Sequence, residues 1–67
     1  MEIIFNSNTQ EIQEQTSIQI ILNDLIGEKQ KGIAVAVNEI VVPKTKWDSY
    51  VLKPKDNILV IKATQGG

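Results

Sequence analysis

The run Ile58-Leu59-Val60-Ile61-Lys62-Ala63 is apolar on both of its faces. Successive side chains of a strand point to opposite sides, so Ile58 and Val60 share one face while Leu59, Ile61 and Ala63 share the other. A strand with two apolar faces belongs in the middle of a sheet. One stretch of the chain carries the pattern of a full-length helix, and one helix cannot cover both sides of a sheet. The remaining segments must therefore flank this strand, and the second face is either left open or covered by a partner. Ile4, Ala34, Ala36, Leu59 and Ile61 fall on that second face and form a candidate docking surface. If Lys62 shares the face of Ile58 and Val60, it sits at the edge of the core.

The preceding segments supply the flanking elements. Glu2 to Asn6 reads as a strand with Ile3 and Phe5 on one face and Ile4 on the other. Asn6-Ser7-Asn8 is turn chemistry, and Thr9 to Gln13 is a return strand. Thr16-Ser17-Ile18-Gln19 has the form of a capping box, with Thr16 as the cap and Gln19 reaching back to it. Ile18, Ile21, Leu22, Leu25 and Ile26 then recur at helical spacing, Ile20 lies off that stripe, and Gly27 provides the stop. After a polar connection from Glu28 to Gly32, Ile33-Ala34-Val35-Ala36-Val37 puts large residues toward the helix and alanines on the other side. Asn38-Glu39 reads as a tight hairpin turn, and Ile40-Val41-Val42 returns and is closed by Pro43. Lys44 to Tyr50 reads as a short helical turn around a partly buried Trp47, with ligand stacking as the alternative role for the indole. Tyr50-Val51-Leu52 is a short apolar segment. Lys53-Pro54-Lys55-Asp56-Asn57 turns the chain into the last strand.

The order is therefore strand, strand, helix, strand, strand, turn, strand. With the last strand beside the first and parallel to it, this is an α+β arrangement of the β-grasp type. Its mixed sheet has four to five strands, with the main helix packed on one face. The expected division is a domain over residues 1–63 and a flexible tail over 64–67.

Sixty-seven residues make one domain with a thin core. The chain has no cysteine and no histidine, which excludes disulfides and a zinc site of the usual kind. A net charge of −1 argues against a nucleic-acid binder. No run approaches the length needed to cross a bilayer, and no signal peptide is visible, so a soluble cytoplasmic protein is expected. Charge is uneven along the chain. Lys44, Lys46, Lys53, Lys55 and Lys62 lie in the second part, against Asp48 and Asp56. These lysines are either a solvated surface or a field that steers the tail toward an acidic partner. No nucleophile–base pair, carboxylate cluster or phosphate loop stands out, so the chain is not expected to be an enzyme.

What chemistry remains lies in Gly66-Gly67. A glycine pair in this place is also what a frayed end or a cloning scar would leave. Its functional reading is specific: residues without a Cβ can enter a narrow channel, and the last residue carries a carboxylate. That carboxylate becomes reactive once it is joined to a nucleotide phosphate in another protein's active site.

Ala36-Val37-Asn38-Glu39-Ile40-Val41-Val42-Pro43, followed by Trp47, by Asp56-Asn57-Ile58-Leu59 and by the terminal Gly66-Gly67, is similar to the thiamine-biosynthesis sulfur carrier family. The resemblance covers nearly the whole chain. It implies a ubiquitin-like β-grasp fold and an adenylating enzyme that uses ATP to activate Gly67. It further implies a sulfur-donor enzyme, a thiocarboxylate on Gly67 and delivery of that sulfur to thiazole synthase. Gly66 is then the slender neighbour the channel needs, and the chain itself binds no cofactor and no metal. Pro54-Lys55 departs from the family, whose members often have a glycine there, and Thr64-Gln65 is more polar than in some relatives. Three other readings stay open: a small subunit of molybdopterin synthase, a ubiquitin-like protein modifier, and a plain β-grasp binding module.

Overall fold

The computed structural model describes residues 1–27 and 32–62. Its elements are β1 (Glu2–Phe5), β2 (Asn8–Glu11), α1 (Ile18–Leu25), β3 (Ile33–Val37), β4 (Ile40–Val42), a 3-10 turn over Lys44–Lys46 and β5 (Asn57–Lys62). The five strands form one mixed sheet in the order β2-β1-β5-β3-β4. The doubly apolar strand is thus central, as its pattern requires. It pairs in parallel with β1 (Ile4 opposite Asn57, Phe5 opposite Ile58) and antiparallel with β3 from Ile33–Lys62 to Val37–Ile58.

Both hairpins close on two residues in the left-handed region: Asn6 (φ 48°) with Ser7 (φ 72°), and Asn38 (φ 52°) with Glu39 (φ 72°). Two-residue loops of this kind match the right-handed twist of the strands they join. The tight first loop places Asn8 directly opposite Phe5, so β2 begins at Asn8 and ends at Glu11 rather than running from Thr9 to Gln13.

The helix starts one residue later than the capping-box spacing predicts. Ser17, not Thr16, is the cap, and its hydroxyl accepts from the Ile20 N–H at 3.2 Å. Tertiary contacts decide this. The Thr16 hydroxyl donates to the Gln13 carbonyl (2.6 Å), the Thr16 carbonyl accepts from Leu52 N–H (2.8 Å), and Ser17 forms a β-bridge with Val51. These bonds hold the chain extended through Ser17. The Gln19 side chain donates to Asn23 Oδ1, one turn along, instead of reaching back. At the other end Gly27 takes φ 69°, and its N–H joins that of Ile26 on the Leu22 carbonyl.

Ile18, Ile21 and Leu22 bury the helix stripe against Ile3, Phe5, Val35, Val37, Val42 and Ile58 of the sheet. Leu25 leaves the stripe and is 44% exposed, because the last helical turn overhangs a hollow lined by Ile26, Ile33, Val60 and Lys62. Lys62 is exposed at the rim of that hollow, at the margin of the core. Trp47 is fully rather than partly buried, at 1% exposure, and its Nε1–H donates to the Val42 carbonyl at 2.9 Å. The indole therefore closes the core under the 3-10 turn and offers no ring face to a ligand. No helix among the described residues is long and apolar enough to cross a membrane.

Candidate functional site

The register of the sheet brings the predicted second face together. Ala34 lies opposite Ile61 and Ala36 opposite Leu59, while Ile4 sits beside Asn57 on the other flank of β5. Directly paired residues share a face, so Ile4, Ala34, Ala36, Leu59 and Ile61 line the side of the sheet that faces away from α1. Ile4 (36%), Leu59 (47%) and Ile61 (49%) are exposed, while Ala36 is buried between its larger neighbours. Small residues on β3 make the centre of this face flat. Val41, which pairs with Ala36 and is 65% exposed, widens it toward β4. Val41 is a member of this face that the strand pattern of Ile40-Val41-Val42 does not by itself assign to it. The two-residue turn at Asn38-Glu39, once its register is fixed, would have placed it there. A shallow hollow lined by Ser7, Ala36, Glu39, Asn57 and Leu59 lies at one end of the face.

The start of β5 is fixed by a polar cluster that the sequence did not reveal. Asp56 is buried, and its carboxylate accepts from the Lys53 N–H (2.8 Å) and from Asn38 Nδ2 (3.0 Å). Asn38 Oδ1 in turn accepts from Asn57 N–H (3.0 Å), and the Asn38 N–H donates to the Asn57 carbonyl (2.8 Å). The β3–β4 turn is thereby bonded through one side chain to the entrance of the central strand. Further along β5, Asn6 Oδ1 accepts from Val60 N–H at 2.8 Å. A buried carboxylate that accepts bonds from a backbone N–H and a side-chain amide is a rigid joint. These bonds fix both the register and the direction in which β5 leaves the domain.

Gly66 and Gly67 lie outside the described residues, as do Ala63, the spacer Thr64-Gln65 and most of the connection before β3. Lys62 is the last described residue. The strand register divides the second-half lysines. Lys53 and Lys55 precede the start of β5, whereas Lys62 ends it. Lys44 and Lys46 follow Val42, which pairs with Val35 and through it lies level with Val60. Positive charge is therefore found at both ends of the central strand rather than gathered at its exit. Among the described residues no group of three or more His, Cys, Asp or Glu side chains is placed to hold a metal ion.

Comparison with known proteins places these features in context. The model of the ThiS family matches residues 1–67. The sulfur carrier protein ThiS of Escherichia coli (strain K12) is 28% identical over 67 residues, covering 100% of both chains. The crystal structure of the thiamine biosynthesis protein ThiS from Geobacter metallireducens superposes with a TM-score of 0.87 at 19% identity, again over 100% of both chains. The likeness extends to the five-stranded mixed sheet with its one helix, a ubiquitin-like β-grasp.

Proposed function

The chain belongs to the ThiS family, and from that premise we propose that it is a sulfur carrier whose working group is the carboxylate of Gly67. The observation that carries this reading is the extent of the family match, which runs through residue 67 and so includes the glycine pair. The E. coli relative, matched end to end, is a sulfur carrier by name.

The proposed cycle needs little of the domain beyond presentation. A carboxylate is inert to nucleophiles until one of its oxygens becomes part of a leaving group. An adenylating enzyme supplies ATP. A Gly67 oxygen attacks the α-phosphorus, pyrophosphate leaves and an acyl adenylate forms. A hydrosulfide equivalent from a sulfur-donor enzyme then attacks the acyl carbon, AMP leaves, and a thiocarboxylate remains. Thiazole synthase receives that sulfur for the thiazole ring of thiamine. In this division of labour residues 1–63 hold the central strand and residues 64–67 supply reach, at about 3.3–3.6 Å per extended residue. Gly66 and Gly67 pass through a channel too narrow for a Cβ. The apolar face of Ile4, Ala34, Ala36, Leu59 and Ile61 docks the enzymes. The chain holds no cysteine or histidine to do the chemistry itself, and ATP is the partner's substrate.

Intact-mass spectrometry tests the cycle after incubation with the adenylating enzyme, ATP and a sulfur source. The expected result is a mass gain equal to exchanging one oxygen for sulfur, mapped to Gly67. A chain lacking Gly66 and Gly67 should show no such gain while keeping its thermal midpoint. Unchanged mass in the full chain, with no adenylate formed, would overturn the proposal.

A further inference from the structure

Strand β1 stops at Phe5, while its parallel neighbour β5 runs on to Lys62. Where the chain turns away, Asn6 carries the ladder a little further. Its N–H donates to the Ile58 carbonyl (2.9 Å), and its side-chain Oδ1 accepts from the Val60 N–H (2.8 Å), taking the place of a backbone carbonyl. Backbone groups of a strand alternate sides. Ile58 and Val60 bond toward Asn6, and Asn57 bonds toward Asn38 at the end of β3. By that alternation Leu59 and Ile61 serve β3, and the Val60 carbonyl and the Lys62 N–H point to the β1 side. Past Asn6 no described strand lies on that side. Among the described residues the central strand thus has a short open edge, at the Val60 carbonyl and the Lys62 N–H.

We propose that this edge receives an extended segment of the adenylating enzyme, added to the sheet in line with β1; the inference rests on the sulfur-carrier reading. An extended backbone presents a donor and an acceptor at the spacing the edge requires. In the proposed cycle the adenylating enzyme is the first protein to engage Gly67, and the edge lies on the strand that leads to it. A second copy of this chain fits poorly, since pairing two such edges through the Val60 carbonyl and the Lys62 N–H would set the two Lys62 side chains diagonally on one face of the joined sheet, where like charges repel. On the incoming strand, the residue level with Ile61 would lie on the open face in line with Ile4, where an apolar side chain extends the exposed patch. Strand addition also aligns the tail: it extends the sheet's own direction into the channel before the carboxylate arrives.

The test removes one N–H. Lys62→Pro deletes a donor that β3 does not use, and Lys62→Ala removes the side chain but keeps the donor. In a chemically assembled chain, the amide at Lys62 is replaced by an ester, which covers the case in which the proline variant does not fold. Binding to the adenylating enzyme and ATP–pyrophosphate exchange are measured for each. Losing one well-formed bond is expected to weaken binding by about tenfold in the proline and ester chains, with Lys62→Ala within about twofold of the unaltered protein. Ester and alanine chains that bind equally well, or that fall by the same factor, would overturn strand addition. If the unaltered chain gains sulfur while the ester chain binds normally, only this inference fails. If the unaltered chain is never adenylated, the sulfur-carrier reading fails with it.

Discussion

Asn38 was legible as a turn residue, because its side chain tolerates the φ of 52° that a two-residue hairpin demands. Its second role was not legible, since its bonding partners Asp56 and Asn57 stand 18 and 19 residues away in the chain. The substitution Asn38→Gly keeps the backbone geometry and removes both side-chain bonds, leaving the Asp56 carboxylate short of a donor. Urea unfolding is expected to show a loss of about 1–3 kcal/mol. Ser17→Ala removes the helix cap and should cost about 1 kcal/mol in the same assay. Trp47 was recognisable as a core residue by size, but the acceptor for its N–H, the Val42 carbonyl, follows only from how the chain returns under the 3-10 turn. Trp47→Phe leaves that carbonyl without its donor and is expected to lower stability by about 1–3 kcal/mol.

Among the elements, turns hold the readable strain. Glu39 and Lys55 both adopt positive φ, 72° and 69°, with side chains that gain nothing from it. Lys55 follows Pro54 in the turn that leads into β5. A left-handed residue costs about 1–2 kcal/mol relative to glycine, while glycine costs about 0.4–1 kcal/mol through the unfolded chain. The first effect wins by a modest margin. Lys55→Gly and Glu39→Gly should therefore each stabilise the domain by about 0.5–1 kcal/mol, read as a raised thermal midpoint. The helix was legible in its stripe and its glycine stop. Its first residue was not, because the competition between Thr16 and Ser17 is settled by Leu52 and Val51, which approach from a distant segment.

At the scale of the whole molecule, one face of the sheet builds the core and the other, among the described residues, carries no covering element, and the two can be perturbed separately. Leu59→Glu puts a charge at the centre of the open face, at a position 47% exposed. It should change unfolding free energy by less than about 1 kcal/mol, as surface positions do. In contrast, it should slow adenylation of Gly67 at least tenfold if that face docks the enzyme, a difference visible in pyrophosphate-exchange rates. Equal rates would exclude this face as the docking surface. The sequence by itself determined the architecture and the character of the faces. Alternating side chains on Ile33–Val37 and two-sided apolarity on Ile58–Ile61 are local, periodic properties that any sheet must respect. Only the tertiary structure decided where the helix starts, how far Trp47 is buried, which polar groups fix the entrance of the central strand and where its edge is left unpaired. Each of these depends on hydrogen-bond partners far apart in the chain, and sequence spacing carries no record of which distant carbonyl a given donor will meet.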